Sequence, residues 1–340
     1  ALQEDYLTTT MTSIPAVPFV SEKKKIQAPT RAEILACQFT SWYPEFRSVT
    51  IRSIIIPLED AFIRFILSDG IKLPSGTNVS SCAKFHLEED CSWSSDDNED
   101  DDDDNYCFPE LNAKIEEAIR QLGGAVMPKL NWSAPKDGTW INEGSMKCQT
   151  PGDVYILLKS SDFCSHDLLY AFSNCEKQDQ ADSVPYHLIL RKWCNLHVSM
   201  EFRCFVTQRK LAAVSQREHT QYYPYLKNEK DSILDLIVNF YLRCIRPKFL
   251  LQKFVFDCYV DKNQKVFLID FNVWGQSTDS LLFDWEELND YCFSENHCTI
   301  FRLVENEGEV RHNPLASYRA PIDAIDLASD SLGANSFEEF

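Results

Sequence analysis

Two short apolar runs constrain this chain most: Phe254-Val255-Phe256-Asp257-Cys258-Tyr259-Val260 and Val266-Phe267-Leu268-Ile269-Asp270-Phe271-Asn272. Both are rich in β-branched and aromatic residues and the link between them is polar, so they read as a β-hairpin. Each carries an acid or an amide where its pattern calls for a core residue. Side chains two apart on a strand share a face, so Asp270 and Asn272 point the same way. A four-residue loop over Lys262 to Lys265 sets Asp261 opposite Val266 and, in the same register, Asp257 opposite Asp270. Three oxygen ligands then converge on one patch of sheet. Carboxylates on a half-buried face are costly without a cation. Hard oxygen donors with room for water and phosphate suit Mg²⁺, held at about 2.1 Å in octahedral geometry. The competing reading pairs these acids with Lys or Arg in a structural network.

At 340 residues and 44% hydrophobic composition, the chain can bury a substantial core as one large domain or two lobes. Its net charge of −19 argues against nucleic-acid binding as the main business. Between Glu88 and Asp104 there are 11 acidic residues and no basic ones, which leaves about −8 elsewhere. An insert over 86–105 with this composition cannot bury apolar surface and is expected to be disordered. The thirteen cysteines are odd in number, scattered, and include no C-x-x-C. They fit reduced, buried thiols in a cytoplasmic protein rather than a disulfide framework or a zinc site. No apolar run approaches the length of a membrane span. A cytoplasmic monomer is the expectation.

Residues 1–30 are polar, with Pro15, Pro18 and Pro29, and read as a flexible arm. Thr50 to Ile56 reads as a strand stopped by Pro57, and Leu58 to Asp69 as a helix ended by Gly70. In Glu110 to Leu122, Leu111, Ile115, Ala118, Ile119 and Leu122 share one helical face before Gly123-Gly124. A short strand over 125–130 leads into the turn-rich loop Asn131 to Trp140. Thr150-Pro151 opens another helix as N-cap and first residue. Strands follow at His187 to Trp193, Glu201 to Thr207 and Lys210 to Gln216, then a helix over Asp231 to Arg246 stopped by Pro247. Paired strands interleaved with helices give an α+β class. The boundaries are drawn at 31–325 for the folded domain and 326–340 for an acidic flexible tail.

Two further places could carry chemistry. Lys129, at a strand end before the small-residue loop reaching Asp137, suits a phosphate cradle in which backbone N–H groups and an ammonium meet oxygens. No Walker A loop and no G-x-G-x-x-G occur, and alone Lys129 is an ordinary surface lysine. The strand Leu188-Ile189-Leu190 runs into Arg191-Lys192-Trp193-Cys194, which resembles a hinge meeting a purine edge. Glu201 and Arg203 lie on the face opposite Phe202, Cys204 and Val206. They could hold ribose hydroxyls and a phosphate, or simply each other. Arg217 could bring another guanidinium to the same place.

These blocks together resemble the cell division cycle protein 123 family. The resemblance rests on Trp42-Tyr43-Pro44, Pro128-Lys129-Leu130-Asn131-Trp132-Ser133-Ala134-Pro135, Lys159-Ser160-Ser161-Asp162-Phe163, Leu190 to Cys194, Glu201 to Val206 and Ser215-Gln216-Arg217. It continues through Phe254 to Asp257, Leu268 to Asn272, Thr278 to Phe283 and Trp285-Glu286-Glu287-Leu288, in order over roughly residues 35 to 320. It implies an ATP-grasp fold, with two lobes of antiparallel sheet flanked by helices and ATP and Mg²⁺ between them. It further implies an assembly factor that binds the gamma subunit of eukaryotic translation initiation factor two and promotes its joining to the alpha subunit, supporting translation initiation and the cell cycle. Carried over by position, Lys129, Trp132, Ala134, Lys136 and Asp137 would contact nucleotide from the loop. Arg191, Lys192, Trp193 and Cys194 would form the adenine side, with Glu201, Arg203 and Arg217 completing the pocket. Asp257, Asp270 and Asn272 would hold Mg²⁺. Lys136 stands where the family often has arginine, and Val273-Trp274 replaces the more usual Pro-Phe after Asn272.

The alternative is an active ATP-grasp ligase that forms an acyl phosphate on a carboxylate acceptor. A protein kinase, raised by Ile269-Asp270-Phe271, fails on Asn272 in place of glycine and on the lack of an H-R-D loop.

Overall fold

A computed structural model describes residues 26–80, 106–176, 184–291 and 298–311. Most of the expected arm, the acidic insert and the tail lie outside the described residues. The architecture is α+β, built on two sheets.

The amino-terminal side begins with α1 (Arg31–Ala36) and α2 (Phe39–Phe46). Thr30 caps α1 through a reciprocal bond with Glu33. Next come β1 (Ser53–Pro57), α3 (Asp60–Leu67), α4 (Pro109–Gln121) and β2 (Val126–Lys129). A 3₁₀ turn over Asp137–Asn142 leads to α5 (Pro151–Lys159), α6 (Asp162–Leu169) and β3 (His187–Lys192). The three strands form an antiparallel sheet in the order β1-β3-β2. Leu188 and Leu190 pack with Phe62, Ile115, Tyr155 and Leu157 into its core, while Ile189 points to the other side. Thr150 caps α5 with Asp153 in a capping box, as the Thr-Pro start implies.

The second sheet contains β4 (Glu201–Thr207), β5 (Lys210–Gln216), β6 (Phe254–Val260), β7 (Val266–Asn272) and β8 (Ile300–Arg302). α7 (Pro224–Phe240) follows β5, and α8 (Trp285–Tyr291) precedes β8. The order is β7-β6-β4-β5-β8, antiparallel except for β8 against β5. One face, with Phe202, Cys204, Phe254, Phe256 and Phe271, is buried beneath α7 and α2. The opposite face is divided. Phe205, Ala213 and Val255 pack against Trp274, Phe283 and Trp285, whereas Arg203 and Asp257, two residues along the same strands, are charged.

Several expectations need correction. The helix before β6 starts at Pro224 rather than Asp231, because Pro224 takes the first helical position that proline suits. It also widens into a π turn over Tyr241–Ile245 before Pro247. The strand expected from Thr50 starts at Ser53, and Thr50 instead meets Leu268 of β7 in an isolated bridge.

The hairpin register is reached by a different route from the one expected. The four-residue loop is absent, since Val260 pairs directly with Val266 and Cys258 with Leu268. That register alone would separate Asp257 from Asp270. A bulge at Ile269 then inserts one residue and restores Asp257 opposite Asp270 and Val255 opposite Asn272. Arg191, buried on the Ile189 side of β3, donates to the Ile269 carbonyl at 2.9 Å. Thr50 Oγ1 in turn donates to the Leu268 carbonyl at 2.6 Å. Groups from the first sheet's side therefore hold the bulge that aims Asp270.

Candidate functional site

The charged half of the second sheet is assembled by cross-strand pairing. Arg203 on β4 stands opposite Asp257 on β6, which stands opposite Asp270 on β7. Directly paired residues share a face, so the three side chains form a row. Arg203 grips Asp257 with two bonds, Nε to Oδ1 at 2.8 Å and Nη2 to Oδ2 at 2.9 Å. Arg217, just past β5, approaches both Glu201 and Asp257 at 3.4 and 3.5 Å. Lys129, at the end of β2, crosses from the first sheet to bond Asp270 Oδ2 at 2.6 Å.

Lys136, Glu201, Arg203 and Arg217 line one cleft of about 750 Å³, closed on its apolar side by Met146, Phe163, Val198 and Leu281. Lys129 and Asp270 balance each other, and Arg203 and Arg217 pair with Asp257 and Glu201; Lys136 lines the same cleft, as do the carboxylates of Glu218 and Asp279. Burial alone would raise the Asp257 carboxyl, but Arg203 and Arg217 outweigh it and hold that group below the usual carboxylate range. The Arg217 guanidinium, and then burial, pull the Lys136 ammonium down to about 8 against Glu201 and Asp257. Arg217 Nε is buried without a hydrogen bond of its own.

Other sequence-nominated residues are committed elsewhere. Asp137 accepts from Ser161 Oγ at 2.6 Å and from the Phe163 N–H at 3.1 Å, binding the loop to the start of α6. The Trp132 indole donates to the Ile34 carbonyl at 2.9 Å. The Ala134 carbonyl accepts the Lys136 N–H at 2.8 Å. Arg191 braces the bulge and sits 5.5 Å from the Phe39 ring. At the end of β3, the Lys192 N–H bonds the Arg52 carbonyl and the Trp193 N–H bonds that of Ala125. Lys192 is exposed while Trp193 and Cys194 are half-buried. Asn272 lines a separate cavity of about 160 Å³ with Cys37, Trp132 and Asp167.

Among the described residues no group of three or more His, Cys, Asp or Glu is placed to hold a metal. The available hard donors are therefore the two opposed carboxylates and the Asn272 amide on the same face. That set, beside Lys136 and two guanidinium groups, one with a buried N–H that makes no hydrogen bond, fits a divalent cation carried by a polyanion better than a cation alone.

Sequence reasoning missed Asp167. This carboxylate is buried on α6 and accepts from the Trp132 N–H at 3.0 Å, the Ser133 N–H at 2.7 Å and Ser133 Oγ at 2.7 Å. Burial raises its carboxyl despite those bonds. Its partners lie 34 and 35 residues away, and no local spacing announces them.

A family model described as D123 matches residues 42–328. The chain is 42% identical over 311 residues to a Xenopus tropicalis protein named "Translation initiation factor eIF2 assembly protein", covering 88% of this chain and 92% of that one. A Dictyostelium discoideum protein of the same name is 39% identical over 348 residues, covering 85% and 90%. Among solved structures, Cdc123 from Schizosaccharomyces pombe superposes with a TM-score of 0.68 at 37% identity, covering 82% of this chain and 99% of that one. Among the described residues no helix is long and apolar enough to cross a membrane.

Proposed function

The chain belongs to the D123 family, and on that premise we propose that it binds ATP with Mg²⁺ and serves the assembly of eukaryotic translation initiation factor two, engaging the gamma subunit so that it joins the alpha subunit. The observation that carries the nucleotide reading is the cleft, where Lys136, Arg203 and Arg217 gather on one wall and Arg217 Nε has no hydrogen bond. The assembly role is carried by the names and coverage of its relatives.

The chain's own residues divide the work by charge. Lys136, Arg203 and Arg217 offer donors to phosphate oxygens. Asp257, Asp270 and Asn272 offer oxygens to the metal. Each carboxylate is now matched by Arg203, Arg217 or Lys129, so on binding the cations would hold phosphate and the carboxylates would hold the metal. Such an exchange leaves neither set of buried charges unpaired. The Lys192 to Cys194 segment, with its backbone already tied to Arg52 and Ala125, supplies a fixed edge for the base. When bound, Mg²⁺–ATP would supply the phosphate and metal charge these groups meet and, in a ligase, an activated phosphoryl group.

Thermal unfolding with and without Mg²⁺–ATP tests the nucleotide reading, because a ligand bound to the folded state raises Tm by mass action. Wild type should shift upward; Asp270→Ala should lose the shift while the apo protein still unfolds cooperatively. An equal shift in both removes the metal assignment. Capture of the gamma subunit from cell extract tests the assembly role, and failure to capture it counts against that role. Phosphate release at about 1 s⁻¹ or faster with an added acceptor would instead indicate the ligase.

A further inference from the structure

Lys129 reaches Asp270 from the first sheet, but its ammonium also donates to the Trp132 carbonyl. That carbonyl belongs to the same peptide unit as the Ser133 N–H, which donates to Asp167 Oδ2 at 2.7 Å. The result is one continuous row: Asp167 carboxylate, Trp132–Ser133 peptide, Lys129 ammonium, Asp270 carboxylate. An anion on the N–H side of a peptide polarises its carbonyl and strengthens the bond that carbonyl accepts. Asp167 also holds the N–H of Trp132 and the hydroxyl of Ser133, so the peptide has little freedom to turn. Asp167 is 3% exposed and Lys129 1% exposed, so water competes weakly at either end.

The same loop is pinned at its far end by Asp137, whose carboxylate binds the start of α6. The helix that carries Asp167 and the loop that carries Lys129's carbonyl partner are thus joined at two points.

We propose that Asp167 is a positioning residue that sets the Lys129 ammonium through the Trp132–Ser133 peptide, holding it for phosphate when Asp270 turns to metal. This rests on the nucleotide reading for its purpose, but not for its geometry. Asp167→Asn keeps the shape and removes the charge. It should weaken Mg²⁺–ATP binding about tenfold and leave adenosine binding unchanged, since adenosine has no phosphate for Lys129. Ser133→Ala, which removes one of three bonds, should give a smaller loss of the same kind. In a Lys129→Ala background, Asp167→Asn should add nothing further. An equal loss for both ligands, or an additive loss in that background, overturns the inference.

A second measurement needs no nucleotide. Acylation of Lys129 by acetic anhydride, read by mass spectrometry on the free protein, should be at least about threefold faster in Asp167→Asn than in wild type, because the ammonium is no longer held. Unchanged labelling overturns the inference even where ATP binds. Faster labelling in a protein that shows no Mg²⁺–ATP shift supports the positioning and removes the nucleotide reading alone.

Discussion

The face of the second sheet that does not lie under α7 is two regions made from the same strands. On β4, Arg203 is charged and Phe205, two residues on, is apolar; on β6, Asp257 and Val255 repeat the contrast. Strand geometry treats the members of each pair alike, since residues two apart share a face. What differs is the cover. Phe205 and Val255 lie under Trp274, Phe283 and Trp285, which close tightly. Arg203 lies beside the cleft, where the loop carrying Lys136 leaves a space. Burial by itself is nearly complete in both regions. One is sealed under aromatic rings; the other pairs its charges and borders an open cleft.

Paired truncations break this comparison most sharply. Phe205→Ala removes a fully buried ring and should cost about 3–5 kcal/mol in urea unfolding. Asp257→Ala strands the buried Arg203, takes one of two carboxylates from Arg217, and should cost about the same, 3–5 kcal/mol. The ligand response separates them. Phe205→Ala should keep the Mg²⁺–ATP shift at temperatures where it is folded, and Asp257→Ala should lose it. If both keep the shift, the charged half is merely another way to fill a core.

A milder test replaces the ion pair with apolar groups. Arg203→Met with Asp257→Leu should regain about half or more of the stability lost in Asp257→Ala, since a buried pair exchanged for hydrophobic residues is often neutral. Nucleotide binding should stay absent. Acid sharpens the same point. Asp257 titrates below its unfolded value of about 3.9. Its stabilisation is therefore present above about pH 4 and lost as pH falls further toward the folded value. The double variant should lose stability less steeply than wild type below about pH 4, in urea midpoints taken across that range.

Much of this division was legible in the residues. β4 and β5 have the expected bounds because their apolar alternation is regular and a two-residue turn joins them. Asp257 faces Asp270 as anticipated, yet through the bulge at Ile269, whose cause is Arg191 and Thr50 more than seventy and two hundred residues away. Arg191 is two residues from Ile189 and so shares its strand face, a spacing that would have placed its guanidinium inside rather than at a purine edge. α6 went unread because Phe163, Cys164, Leu168 and Leu169 trace no clean helical stripe, and the helix buries a carboxylate. Asp167 was invisible because two of its three partners are backbone N–H groups, which every residue but proline carries, and the third is a distant serine hydroxyl.

The smallest expected effect concerns Lys136, where the open region differs from the sealed one in a titratable way. Its ammonium is lowered to about 8 chiefly by Arg217, a like charge whose effect Glu201 and Asp257 only partly offset. With the folded value below the unfolded one, the unfolded chain holds more protons between about pH 8 and 10.5, so the free protein gains stability as pH rises through that window. A bound polyanion reverses the cause and draws the proton back. Near pH 8, where Lys136 is about half protonated, Mg²⁺–ATP binding should take up as much as about half a proton. Calorimetry in two buffers of different ionisation enthalpy reads that uptake directly. Lys136→Arg keeps the positive charge but cannot titrate in this range, so its uptake should fall toward zero while binding persists. Equal uptake in both proteins would move the proton to another group and leave Lys136 an ordinary member of the cleft wall.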